Sequence, residues 1–187
     1  MKIAVYGSAV AESEELTKSA KIIGEEIFKS GSAIITGACK GLPFDAAEKV
    51  KSLGGFSIGY SAVTKKENHE NALKTPLTCY DELVLIPESY KHRDNLSICL
   101  KYRNVSSVAD CDAAIFISGR WGTLNEFAIT YDAGKIIGVL TGSGKFTSQV
   151  QHLIEFFGKE TKGTIIFDDD PRSLVQRVIK QFQNAAL

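Results

Sequence analysis

After an apolar run and before an amphipathic one, the sequence places Ser118-Gly119-Arg120-Trp121-Gly122-Thr123-Leu124-Asn125-Glu126. A glycine-containing turn that opens a helix suits a small anion. Gly119 and Gly122 let the backbone approach closely, the first-turn amides and the helix dipole favour phosphate, and the Thr123 hydroxyl is a further donor. Arg120 adds a cation, and Trp121, like Phe44 earlier, offers a flat surface that suits either a planar ligand or ordinary packing. The same residues have a plain structural use, in which the glycines make the turn and Thr123-Leu124-Asn125-Glu126 forms a capping box. If Glu126 faces a cleft instead, its carboxylate can activate water, stabilise an oxocarbenium-like centre or attack it.

A second cradle of the same kind is Thr36-Gly37-Ala38-Cys39-Lys40-Gly41-Leu42-Pro43, again between an apolar run and a helical period. Gly37 and Gly41 permit tight turning or close ligand approach, and Thr36 and Lys40 offer polar contacts. Arg103 lies on a helical segment whose apolar side includes Val105, Val108 and Ala109. Its planar guanidinium suits phosphate or ribose oxygens, and its competing use is a surface ion pair with Asp110 or another carboxylate. Tyr6-Gly7-Ser8-Ala9 is a strand-end ligand loop that lacks GxGxxG spacing, which disfavours NAD. Gly142-Ser143-Gly144-Lys145-Phe146-Thr147 lacks the first glycine of a Walker loop and has Phe146 after the lysine, which disfavours an ATPase. Tyr90 to Asp94 and Asp168-Asp169-Asp170 read as loops, with Asp170 as the cap of a helix that Pro171 opens.

These candidates need rigid elements to hold them. Strand-like runs occur at Ile3–Tyr6, Ala33–Thr36, Phe56–Tyr60, Leu83–Ile86, Ala113–Ile117, Ile136–Leu140 and Thr164–Phe167, nearly continuous in apolar character as in strands covered on both faces. Helical periods lie between them: Leu16, Ala20, Ile23 and Ile27; Ala46, Ala47, Val50 and Leu53; Leu124, Phe127, Ala128 and Tyr131; Phe146, Val150, Leu153, Ile154 and Phe157; and Leu174, Val175, Val178, Ile179 and Phe182. The alternation predicts an α/β chain: a single doubly wound, Rossmann-like domain over residues 1–187, with a mainly parallel sheet of about seven strands flanked by helices. Lys65 to Tyr80 is polar and poorly periodic and reads as a loop over a ligand site. Ligands of such sheets gather beyond the carboxyl ends of the strands, where the strand order reverses.

Composition narrows the function. The 187 residues carry 22 basic and 22 acidic side chains with no basic cluster longer than Lys65-Lys66, so extended nucleic acid is not the expected partner. Cys39, Cys79, Cys99 and Cys111 show no CxxC spacing and the three histidines are scattered, so no metal site is expected. With no leader-like or membrane-length apolar run, a cytoplasmic protein without a membrane partner is expected.

Arg103, Asp112-Ala113 and Ser118 to Glu126 together resemble the Lonely Guy (LOG) and molybdenum-cofactor-carrier-like superfamily, and the likeness extends through most of residues 1–180. The phosphoribohydrolase branch carries PGGxGTxxE and, before it, HxRK; its functional positions fall on Arg103 and Glu126. The segment Gly37 to Pro43, continuing to Gly59-Tyr60-Ser61, resembles that family's first glycine loop and following strand. The resemblance implies a Rossmann-like homodimer or higher homo-oligomer that hydrolyses a riboside 5′-monophosphate to free base and ribose 5-phosphate without a required cofactor. Gly122 and Thr123 would then hold phosphate, and Arg103 and Glu126 would serve ribose and bond cleavage. This sequence departs from the motif: Lys101 replaces its histidine, Asn104 its lysine, Ser118 its proline and Arg120 its second glycine. Arg103-Asn104 is closer to the carrier-like branches, which implies the alternative of a non-enzymatic carrier or sensor of molybdenum cofactor, another phosphorylated pterin or a nucleotide. Phe127, Tyr131, Phe156 and Phe157 are the aromatic candidates for an oligomer surface.

Overall fold

Alternate residues of the two central strands face opposite layers. In β1 (Lys2–Gly7) and β5 (Ala113–Ile117), Ile3, Val5, Ala113, Ile115 and Ile117 enter one core, while Ala4, Tyr6, Ala114 and Phe116 enter the other. This computed structural model describes residues 1–10 and 13–185. Five further strands, β2 (Ala33–Thr36), β3 (Ser57–Tyr60), β4 (Glu82–Val84), β6 (Ile136–Leu140) and β7 (Ile165–Asp168), complete a sheet of order β4-β3-β2-β1-β5-β6-β7. Every pairing is parallel. Helices must therefore cover both faces, and the runs read as continuous apolar strands do lie between two layers.

On one face α1 (Glu14–Lys29), α2 (Leu42–Ser52) and α7 (Pro171–Ala185) bury Ala20, Ile23, Ile27, Ala46, Ala47, Val50, Leu174, Val175 and Val178. α3 (His69–Leu73) is a short helix in the connection between β3 and β4, and α4 (Leu96–Asp110), α5 (Trp121–Asp132) and α6 (Val150–Phe157) lie on the other face, which receives Val108, Phe127 and Val150. Local chemistry sets several ends. Ser13 caps α1 by accepting the Leu16 amide at 3.3 Å, Asp170 caps α7 by accepting the Ser173 amide at 2.7 Å, and Gly158 closes α6 in the left-handed region.

Three expectations shift. The strand expected over Leu83–Ile86 is Glu82–Val84, since the chain leaves the sheet toward Pro87; Ile86 is buried in a small separate cluster and its amide reaches Val63 O at 3.0 Å. Phe146 precedes α6 rather than lying on it, yet it still packs on Phe116 and Phe127 at centroid separations of 6.4 and 5.8 Å. Phe127 is core, whereas Phe156 and Phe157 are exposed. Among the described residues, no helix is long and apolar enough to cross a membrane.

The connection β1-α1-β2 runs one way from the centre and β5 returns to the opposite side of β1, so the carboxyl ends of β1 and β5 flank the switch point. Gly7 ends β1 opposite Ile117, where a Cβ would sit 2.2 Å from the Ile117 carbonyl oxygen. Gly7→Ala should therefore prise apart the two central strands and cost about 2–3 kcal/mol of stability, read as a lowered urea midpoint at unchanged m-value.

Candidate functional site

At the switch point a cavity of about 300 Å³ opens between the loops that follow β1, β2 and β5. Gly7, Ser8, Gly37, Lys40, Arg103, Arg120, Gly122, Thr123 and Glu126 all line it, so residues drawn from four separate stretches of sequence meet in one place. Two hydrogen bonds draw the walls together. The Leu42 amide at the start of α2 donates to Ser8 O at 3.0 Å, and the Thr123 hydroxyl donates to Gly7 O at 3.2 Å. The β1 loop is thereby clamped between the other two.

Three expected residues take different places. Gly41 (φ 89) and Gly119 (φ 119) are not among the lining residues; they are the turn glycines of the two cradles, and a Cβ would meet Ser8 O at 2.1 Å and the Thr123 side chain at 2.4 Å respectively. Trp121 also stands outside the lining, with 84% of its surface exposed, because the first helical position after Arg120 turns its side chain to solvent. The capping-box alternative does not hold either. Arg120 is the N-cap of α5, so Thr123 lies inside the helix and Glu126 a turn further on, too deep to close such a box. The amides at the start of the helix, Trp121 to Thr123, have no intrahelical acceptors, and this end of α5 borders the cavity.

Glu126 faces Arg103 instead. Its Oε1 lies 3.9 Å from Arg103 Nη2, and both side chains are more than nine-tenths buried. Of the surface ion pairs considered for Arg103, the one with Asp110 does not form, that carboxylate accepting the Tyr60 hydroxyl, and the carboxylate that does face it, Glu126, is buried rather than at the surface. Arg103 Nη1 donates to Gly37 O and to Cys39 Sγ, the latter at 3.0 Å, while Nε and Nη2 donate to Asn104 Oδ1 at 3.3 and 3.2 Å. Gly37 is bare for this reason: a Cβ there would lie 2.7 Å from Nη1. Asn104 Nδ2 in turn donates to Asn125 Oδ1 at 2.9 Å, joining α4 to α5. A lysine at position 104 has no acceptor and would orient no guanidinium. The roles of Asn104 and Cys39 were hidden in the sequence; the only signal was the departure of Asn104 from the motif.

Electrostatics separates the two partners. Burial raises the Glu126 carboxyl to about 7, against the opposing pull of Arg103 and, more weakly, Lys101. Burial works to lower Arg103, but Cys39 and Glu126 outweigh it and leave the guanidinium above its usual value. The site thus pairs a permanent cation with a carboxyl that exchanges its proton near neutrality. Beside them Tyr6 is held well above the ordinary phenol range by burial, then by Cys111 and Glu126, and its hydroxyl lies 2.8 Å from Ser107 Oγ.

The loop after β5 is supported from behind. Ser118 has φ 55, and its amide donates to Ser143 Oγ at 2.8 Å. Proline, locked near −65°, cannot adopt that conformation, so serine at this position goes with a differently bent loop. The glycine- and lysine-containing segment 142–147 therefore serves the cavity indirectly, as a brace. Among the described residues, no group of three or more His, Cys, Asp or Glu side chains could hold a metal ion.

The family model described as LDcluster4, SLOG cluster4 family, matches residues 1–175. The chain belongs to the SLOG cluster4 family. No curated protein matches it. Among solved structures, this SLOG chain is similar to the structural-genomics target TM1055 (20% identity, 96% of this chain and 98% of that chain covered, TM-score 0.76). It is also similar to the molybdenum cofactor carrier protein of Chlamydomonas reinhardtii (18% identity, 98% of each chain, TM-score 0.71). A third likeness is to DNA processing protein A of Helicobacter pylori, described as binding single-stranded DNA (16% identity, 97% of this chain and 81% of that chain, TM-score 0.64). At these identities the structures establish the Rossmann-like fold of the SLOG chain.

The raised Glu126 carboxyl makes a stability prediction. Between about 4.5 and about 7 the folded state holds a proton that the unfolded state has released, so stability falls as pH rises through this window. Glu126→Gln carries no such proton. Its stability relative to the unsubstituted protein should improve from pH 4.5 to pH 8 by up to about 3 kcal/mol, measured by urea unfolding across that range. A pH-independent difference would show that the carboxyl is not shifted.

Proposed function

We propose that this SLOG protein binds a phosphorylated, nucleotide-like small molecule in the β1–β2–β5 cavity and hydrolyses its N-glycosidic bond, releasing the base and ribose 5-phosphate. The observation that carries the reading is the buried Arg103–Glu126 pair, 3.9 Å apart, beside the open N-terminus of α5. The phosphate lies against the amides of Gly122 and Thr123, where the helix dipole favours an anion, with Arg120 at the mouth. That anchoring fixes the ribose near Glu126.

In this reaction the oxygen of water forms a bond to the anomeric carbon as the bond to the base nitrogen breaks. Glu126, as carboxylate, takes the proton of the attacking water and stabilises the positive charge that develops on the ribose; as acid, it returns a proton to the departing base. A carboxyl near pH 7 is suited to both duties. Arg103, anchored by Gly37, Cys39 and Asn104, holds ribose oxygens and keeps Glu126 from rising further. No step needs a metal.

The second reading is a carrier or sensor of molybdenum cofactor, another phosphorylated pterin or a nucleotide, using the same anion contacts without bond cleavage. Arg120 favours it, because this side chain stands at the cavity where the phosphoribohydrolase motif has glycine and alters the room available to a sugar. Single-stranded DNA fits less well, since the formal charge is zero and the cationic side chains lining the cavity, Lys40, Arg103 and Arg120, form no extended track.

Incubation with a panel of nucleoside 5′-monophosphates, following free base and ribose 5-phosphate, separates the readings. Hydrolysis should appear, with kcat/KM rising with pH through about 7 as the Glu126 carboxylate forms. Glu126→Gln should lower kcat by about 10²–10⁴-fold while binding is kept within a few-fold. Tight binding of intact nucleotide or pterin with no release from any member of the panel would establish carriage instead.

A further inference from the structure

Two primary amides stand between the helix that carries the guanidinium and the helix that carries the carboxyl, and their hydrogen bonds have a fixed direction. A guanidinium only donates. The atom of Asn104 that meets Arg103 Nε and Nη2, at 3.3 and 3.2 Å, is therefore Oδ1, which leaves Nδ2 to point the other way. Nδ2 only donates as well, so the atom of Asn125 that it meets at 2.9 Å is Oδ1. Polarity thus runs one way, from Arg103 through Asn104 to Asn125. Reversing either amide by itself would set donor against donor.

The two amides are placed differently. Asn104 is buried in the middle of α4, which fixes its backbone, so its side-chain torsions are the freedom that remains. Arg103 Nη1 is tied to Gly37 O and Cys39 Sγ, whereas Nε and Nη2 lean on Asn104 Oδ1 through bonds at the long end of the usual range. Bonds of that length hold an amide loosely, and Asn125 holds it from the other end. Asn125 is half-buried on α5, directly before Glu126, and is not among the residues that line the cavity. A carboxylate at position 104 would also grip the guanidinium, but would cancel its charge. Amides give direction and leave the charge of Arg103 for Glu126, 3.9 Å away, and for an anion in the cavity.

We propose that Asn125 is a positioning residue for the guanidinium: by accepting from Asn104 Nδ2 it fixes the amide whose oxygen holds Arg103 Nε and Nη2, and so aims Nη2 at Glu126. Asn125 touches no ligand and acts through Asn104. The inference deepens the function proposed above and rests on it only where a ligand is concerned, since the aim of the guanidinium matters whether the cavity hydrolyses its ligand or only stores it.

Hydrogen exchange of the Arg103 Nε–H, followed by nitrogen-15 NMR of the full chain and assigned by its loss in Arg103→Lys, reads this aim without any ligand. Asn125→Ala should speed the exchange at least about fivefold, as should Asn104→Ala. Asn125→Asp presents an acceptor in the same place and should keep the rate within about twofold. An unchanged rate in Asn125→Ala would overturn the proposal, and so would Asn125→Asp exchanging as fast as Asn125→Ala. AMP titration is the second readout. Affinity should fall at least about fivefold in Asn125→Ala, and the double variant with Asn104→Ala should bind no more weakly than Asn104→Ala alone. Additive losses would show that Asn125 does not act through Asn104 and would overturn the proposal. Should Asn104→Ala fail to fold, the exchange rates in Asn125→Ala and Asn125→Asp decide. If the unsubstituted protein does not bind AMP, the function proposed above is what fails, and the same rates still decide this inference.

Discussion

Two opposite charges removed from water together constrain everything around the cavity. A buried guanidinium is tolerable only if its donors are occupied, and a buried carboxylate only if a cation stands near it. Here the donors of Arg103 are met by a backbone carbonyl, a thiol and an amide oxygen, while the facing carboxyl escapes part of the penalty by holding a proton near neutrality. The bareness of Gly37 and the choice of asparagine at position 104 follow from seating one cation.

The architecture and the meeting of the glycine loops at one cavity were legible because they depend on patterns that survive in one dimension. Apolar runs at Ala33–Thr36, Ala113–Ile117 and Ile136–Leu140 coincide with β2, β5 and β6, and both glycine loops fall at strand ends, where a doubly wound sheet puts its ligands. What stayed hidden were relations between distant residues. Nothing local to Trp121 reveals that the first helical position points it outward, and nothing local to Thr123 reveals that the helix already began at Arg120. Lys65 to Tyr80 reads as a loop over the ligand because polar residues dominate it, yet His69 and Thr75 are buried within it, His69 against Ser61 and Thr75 with its hydroxyl on Leu73 O.

The departures from the phosphoribohydrolase motif are mutually consistent in space. Ser118 takes a backbone angle closed to proline, Arg120 begins the helix with a side chain at the cavity, and Asn104 ties Arg103 to α5. Each changes how the loops around the cavity are bent, charged or braced, whereas the cation and the carboxyl at its centre are retained.

The bridge between Asn104 and Asn125 links the helix bearing the guanidinium to the helix bearing the carboxyl. The two charged groups are thus held in register by a contact between uncharged amides, a linkage that salt does not screen as it would an exposed ion pair.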